Sequence, residues 1–295
     1  MNRFIMAAGI ALAAFPAALF GFQAPNFGAC CEVQKVADNF YVLRGGGGAS
    51  EVFITRNNGV VVVDSKVPGQ GAALVEKIKT ITDKPISTLI ITHTHQDHSG
   101  GAPEFPAGIQ IVAQENTKAN MEKMDLFKKP GNDKFLPNKT YKDKLKLFSG
   151  PDEVDVYYFG PAGTNGDSWI VFPALRIMAA GDDFAAKGTN FMDATNGGSA
   201  AQAKTIRAVV KNIKNVDTVV PGHAPTLYTW TDMKEYADFN EDFLKWGLAE
   251  KKSGKSVDEA AAEYKSPEKY AGYAPPNARF VKTNLQVIYD DPRLK

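Results

Sequence analysis

Three of the four histidines in this 295-residue chain fall within six positions, as His93, His95 and His98, with Asp97 between the last two. On an extended segment residues two apart point to the same side, so His93 and His95 share a face. A turn at Gln96 then lets Asp97 and His98 approach from another direction. Neutral imidazoles with a carboxylate suit zinc, and the same set accepts iron or manganese. The fourth histidine, His223, closes Val220-Pro221-Gly222-His223. Both stretches follow apolar runs that read as buried strands, Thr88-Leu89-Ile90-Ile91 in the first case. Ligands of open α/β sheets gather at the carboxyl ends of strands, which is where these side chains stand. The plainer alternative, a polar strand end that happens to carry histidines, would have to satisfy a buried imidazole cluster by hydrogen bonds alone. A divalent cation held here would lower the pKa of a bound water to about 7, giving a hydroxide able to attack a carbonyl.

The segment His93-Thr94-His95-Gln96-Asp97-His98 after a strand resembles the metallo-β-lactamase superfamily, and the likeness extends over most of the chain. The resemblance implies an α/β fold, specifically an αββα sandwich with a shallow site at one edge. It also implies three later ligands: a histidine in a G-x-x-H-T-x-G-D segment, an aspartate in a G-D pair and a histidine in a G-H pair. The chain supplies Gly160-Pro161-Ala162-Gly163-Thr164-Asn165-Gly166-Asp167, then Gly181-Asp182, then Gly222-His223. Gly163 therefore stands where the family has a histidine. By resemblance, a first metal site retains His93 and His95. A second holds Asp97, His98 and His223, and Asp182 bridges the two, with Asp183 as the adjacent ambiguity. Glycine donates nothing, so the expectation is a tight second site and a weak first one. Asp97 is the implied catalytic carboxylate, ligating the metal and handling the proton of the nucleophile. Asp64 and Asp167 are expected behind the ligands, Asp64 fixing an imidazole tautomer. Aspartate at 182, where the family's β-lactamases tend to have Cys or Ser, looks more like glyoxalase II and lactonases. The expected activity is hydrolysis of an ester, thioester, lactone or lactam. The alternative is a degenerate member that binds metal or ligand without efficient turnover.

The elements that must position these residues read in order. Asn39 to Arg44 alternates like a strand and stops at Gly45–Gly48, a glycine run with no following Lys-Ser/Thr or helix, hence a flexible loop or hairpin beside the site rather than a phosphate cradle. Residues 51–55 and 60–64 form a hairpin around Asn57-Asn58-Gly59. An amphipathic helix over 69–82 leads into the motif strand, giving a β-α-β crossover. A strand at 109–113 and a helix at 115–124 follow. Lysines 128, 129, 134, 139, 142, 144 and 146 cluster in the next stretch. A basic segment of this kind either attracts an anionic substrate or is a solvated surface, the commoner case. Strands at 144–148, 154–159, 168–173 and 175–180, a helix at 201–212 and a strand at 217–220 complete the main domain. The helix at 231–251 carries Met233, Tyr236, Phe239, Phe243 and Trp246 at helical spacing, a stripe that reads as packing or a dimer face. Ser256 caps a further helix to Tyr264. The last residues show no motif.

Residues 1–29 read as a targeting segment: Arg3, then an apolar run from Phe4 to Ala14. Export to a bacterial periplasm or medium is the expectation. The alternatives are an uncleaved anchor and a lipid at Cys30, since Phe27-Gly28-Ala29-Cys30 weakly resembles a lipobox. Residues 30–295 then form the catalytic domain, with 231–295 as its helical part. The only cysteines, Cys30 and Cys31, are adjacent and read as two terminal thiols. A formal net charge of +1 gives no reason to expect nucleic acid. The expected partner is a small-molecule substrate, with no membrane contact beyond the N-terminus. The expected cofactor is zinc, one or two ions.

Overall fold

The computed structural model describes residues 28–294. Apart from residues 28 and 29, the expected targeting segment lies outside the described residues. The first sheet takes seven strands in sequence order: β1 (Glu32–Ala37), β2 (Phe40–Arg44), β3 (Ser50–Ile54), β4 (Val60–Val63), β5 (Ile86–Ile90), β6 (Gln110–Gln114) and β7 (Lys139–Tyr141). Its first half is an antiparallel meander, and β4 to β7 run parallel. Parallel neighbours need crossovers, supplied by α1 (Gly71–Lys79), the single turn α2 (Gln96–Ser99), α3 (Glu115–Met121) and the short α4 (Asp125–Lys128).

The second sheet runs β8 (Lys144–Leu147), β9 (Val154–Tyr157), β10 (Trp169–Phe172), β11 (Ile177–Ala179), β12 (Thr218–Val220) and β13 (Tyr228–Thr229). All its pairings are antiparallel except β11 with β12, whose crossover is α5 (Gln202–Asn212). The two sheets face each other across Phe40, Phe53, Val61, Val63, Ile90, Ile170 and Phe172, all buried. Strands so enclosed read as continuous apolar runs, as Val60–Val63 does. The outer face of the first sheet packs on Leu74, Val75 and Ile78 of α1. The outer face of the second packs on α5 and on α6 (Trp230–Lys252). The layers are therefore α, β, β, α.

The aromatic stripe of α6 is core packing: Met233, Tyr236 and Phe239 cover the second sheet, while Phe243 joins α7 (Val257–Glu263) and α8 (Ala278–Asp290). Ser256 caps α7 as expected, with Glu259 closing a reciprocal box. Two readings need correction. The C-terminal residues are not featureless, because Asn277 caps α8 and Val281, Leu285 and Ile288 form its buried face. The glycine run is not loose: a Cβ on Gly48 would collide with the His98 ring, and the Gly48 N–H donates to the Asp97 carbonyl at 3.0 Å.

Candidate metal centre

The strand β5 ends at Ile90, and the chain then delivers His93 and His95 from a bent loop and Asp97 and His98 from α2. Asp182 follows β11 and His223 follows β12, the parallel neighbour that brings both to one edge. A Cβ on Gly222 would strike Asp182 Oδ1, so the glycine before His223 is what lets the two ligands converge.

The six side chains gather as two groups. In the first, Asp97, His98, Asp182 and His223 bring one donor atom each together. Asp182 Oδ1 lies 3.2 Å from His98 Nε2 and 3.1 Å from His223 Nε2. Asp97 Oδ2 lies 3.5 Å and 3.2 Å from the same nitrogens, which are 3.4 Å apart. Donors placed tetrahedrally around zinc, about 2.0–2.1 Å from it, stand about 3.3 Å from one another, so this set fits a four-coordinate cation. Asp182 Oδ1 is buried with no hydrogen-bond partner, an orphan that a cation would satisfy. In the second group, His93 Nε2 is 3.0 Å from His95 Nδ1 and 3.7 Å from Asp182 Oδ2. Three donors remain there. Asp182 thus offers one oxygen to each group, while Asp183 points elsewhere.

Each motif imidazole is held by its outer nitrogen. Asp64 Oδ2 lies 2.6 Å from His98 Nδ1 and also accepts the Thr92 hydroxyl at 2.7 Å. That hydroxyl oxygen is 2.9 Å from His93 Nδ1, which donates to it. Asp64 therefore fixes His98 directly and His93 through Thr92, turning both Nε2 lone pairs inward. The left-handed backbone at Asp64 (φ 59°) aims the carboxylate at this edge. His95 is held by Asp193, whose Oδ2 lies 3.0 Å from His95 Nε2, leaving Nδ1 facing the cluster. Asp193 does not figure in any sequence motif. It is 98 residues from His95, and the only signal for it was a lone carboxylate in a Gly/Ser/Asn-rich loop.

Electrostatics follow from crowding. Burial works against charge on His98, yet the carboxylates of Asp182, Asp97 and Asp64 outweigh it and raise its pKa well above the ordinary value. For His223 burial is likewise opposed by Asp182 and Asp97, which push it up to about 9. Burial and then the neighbouring imidazoles hold His93 far down, so it is neutral. Burial would protonate Asp97, but His98 and His223 hold it ionised.

The segment expected to hold the missing ligand is closed off. A Cβ on Gly163 would stand 3.3 Å from both Asp183 Oδ1 and the Phe191 carbonyl. The Gly163 N–H donates to Asp183 Oδ1 at 3.0 Å, and its carbonyl accepts from the Asp193 N–H at 2.8 Å. Burial and then the Asp167 charge push Asp183 well up, so it keeps its proton. Both Asp167 oxygens bind Thr164, at 2.7 Å to the N–H and 2.8 Å to the hydroxyl. Asp167 therefore folds this turn rather than bonding a ligand histidine. Asn165 is turned away too, its Oδ1 accepting from Asn120 at 2.8 Å.

A cavity of about 650 Å³ opens over the cluster, with His95, Asp97, Asp182 and His223 among its lining. None of the lysines of the basic stretch lines it. Among the described residues, no helix is long and apolar enough to cross a membrane.

Comparison with known proteins agrees with this geometry. A curated relative, the metallo-beta-lactamase type 2 of Bacillus sp. (strain 170), is 27% identical over 179 residues, 58% of this chain and 64% of its own length. The 2,4-dinitroanisole O-demethylase subunit alpha of Nocardioides sp. (strain JS1661) is 28% identical over 134 residues, 44% of this chain and 39% of that protein. The chain thus covers less than two thirds of the length of these relatives. Among solved structures, the stereoselective inverting sec-alkylsulfatase from Pseudomonas sp. superposes with TM-score 0.71 at 17% identity, covering 88% of this chain and 50% of that one. The metallo-beta-lactamase from Pontibacter korlensis gives TM-score 0.60 at 20% identity, covering 72% and 99%. The family model for the metallo-beta-lactamase superfamily matches residues 44–223, which include β3 to β12 and every candidate ligand, and the chain belongs to that superfamily.

Proposed function

We propose that this protein is a metal-dependent hydrolase of an ester, thioester, lactone or lactam, working mainly through Asp97, His98, Asp182 and His223. The observation that carries this reading is the four-donor set at tetrahedral spacing around an orphaned Asp182 oxygen, open to a cavity. A divalent cation held there would supply Lewis-acid polarisation of a carbonyl and, taking a water from the cavity in addition to the four donors, would acidify that water towards neutral pH.

The chain's own groups do the rest. Asp64 holds His98 in the tautomer that offers Nε2. Asp97, ionised and lining the cavity, orients the attacking water, takes its proton and returns it to the leaving group. The weaker His93–His95–Asp182 group sets the charge beside it. Zinc suits the donors, and the curated relatives' names show that membership alone does not fix the bond cleaved. Asp183 and Phe191 crowding Gly163 favour one second reading, a metal-binding member with little turnover.

A panel of neutral esters, thioesters, lactones and lactams separates the two. On the hydrolase reading, His98→Ala and His223→Ala lower kcat/KM by roughly 10²-fold or more, because metal polarisation contributes several kcal/mol. His95→Ala should cost less. A zinc-loaded protein inert on the whole panel, or equal activity in His98→Ala, contradicts it.

A further inference from the structure

Part of the cavity wall comes from chain beyond the two-sheet domain, where Ala274, Pro275, Asn277, Arg279 and Phe280 face the loop at 185–193. Phe280, at the start of α8, stacks at a tilt on Phe191, with ring centroids 5.3 Å apart. Phe191 in turn lies 6.0 Å from the His95 ring, so the aromatic pair reaches the candidate metal centre. Ala185, Ala274 and Pro275 continue the same surface.

This wall is built, not incidental. Buried Asn284 of α8 accepts the Met192 N–H at 2.9 Å and donates to the Asn190 carbonyl at 2.5 Å, gripping the backbone on both sides of Phe191. Asn190 also donates its side-chain amide to the Asp182 carbonyl. Asn277 fixes the other ring by accepting the Phe280 N–H at 3.2 Å. One helix therefore positions both rings, and Asn190 ties their loop to the backbone of Asp182. The charged groups on the lining beyond the donor cluster, Lys187, Asp193 and Arg279, all have partners. Lys187 Nζ is 2.6 Å from Asp232 and 3.6 Å from Glu235, and Asp193 is bound to His95.

We propose that the Phe191–Phe280 wall receives the uncharged apolar acyl part of the substrate, presenting its carbonyl to Asp97 and the metal-ligand cluster, so that α8 selects the substrate. Phe280 is then a specificity residue, and α8 lies outside the 44–223 region shared with the family. This rests on the hydrolase reading above.

The test uses the full zinc-loaded chain with nitrophenyl esters from acetyl to octanoyl, and calorimetric binding of acetamide and octanamide as probes that need no turnover. The expected kcat/KM rises with chain length, up to about fourfold per buried methylene. Phe280→Ala should cut the octanoyl-to-acetyl ratio by roughly tenfold, and Phe280→Leu should restore part of it, which separates lost apolar contact from misfolding. Octanamide should bind more tightly than acetamide, with the advantage reduced in Phe280→Ala. If no ester turns over but this amide pattern holds, the hydrolase reading fails while the apolar site stands. A flat chain-length profile, a ratio unmoved by Phe280→Ala, or preference for succinyl over neutral esters overturns the proposal.

Discussion

At the scale of single residues, the site depends on how each imidazole is turned. Asp64 manages two of them, and Asp193 manages His95 alone, by 3.0 Å to its outer nitrogen. A partner of this kind typically changes metal affinity 10–100-fold when lost. Asp193→Asn should therefore weaken the His93–His95 group by roughly that factor while leaving the four-donor group close to unchanged. Competition titration with a zinc chelator would show this as a shift in the weaker binding step only. Equal loss at both steps would mean that Asp193 supports the whole edge. Four of the six candidate ligands, His93, His95, Asp97 and His98, were legible in sequence because their motif is local, and Asp182 and His223 were named through the resemblance. Asp193 was not, since its contact exists only after the loop at 190–199 folds over Gly163. The same holds for Asn165, whose side chain goes to Asn120, on a helix that spacing could not align with it.

At the scale of elements, close approach decides what the helices and loops can hold. Most strands and helices were legible from apolar runs and turn residues, with ends shifted by a few positions, as for α1, whereas the short or polar β1, β7 and β13 were not. The glycine run was legible as punctuation, but its purpose was not, because only packing shows that Gly48 lies on the His98 ring. Gly48→Ala should push His98 off Asp64, at a cost of about 1–3 kcal/mol as for other overpacked cores. Thermal melts of the metal-free protein would report the loss, and zinc titration would report a weakened four-donor group. An unchanged melt with unchanged zinc binding would show that the glycine is not needed for that contact. The missed α8 did carry a signal, since Val281, Leu285 and Ile288 sit one face apart behind an Asn cap. Short length and the proline-rich lead-in at Pro275-Pro276 hid it.

At the scale of the whole molecule, two sheets bring candidate ligands from three chain segments to one edge, and the charge gathered there links metal, protons and stability. His223 is raised to about 9 without a cation, against about 6.5 in the unfolded chain. Its contribution to the stability of metal-free protein is therefore full below about pH 6.5 and lost as pH rises through about 9. The gap in melting temperature between wild type and His223→Gln, both metal-free, should shrink over that window. Zinc must displace the same proton, so binding should release protons at pH 7.5 and tighten as pH rises. A gap that widens with pH would contradict the assignment of that proton to His223.

The central claim is that the four-donor group holds metal tightly and the group deprived of a histidine at Gly163 does not. The most direct measurement is zinc per chain after equilibration with excess zinc and desalting. The account predicts about one zinc per chain, lost in His98→Ala and in His223→Ala but kept in His93→Ala. About two zinc ions per chain, or one that survives His98→Ala and His223→Ala, would contradict it.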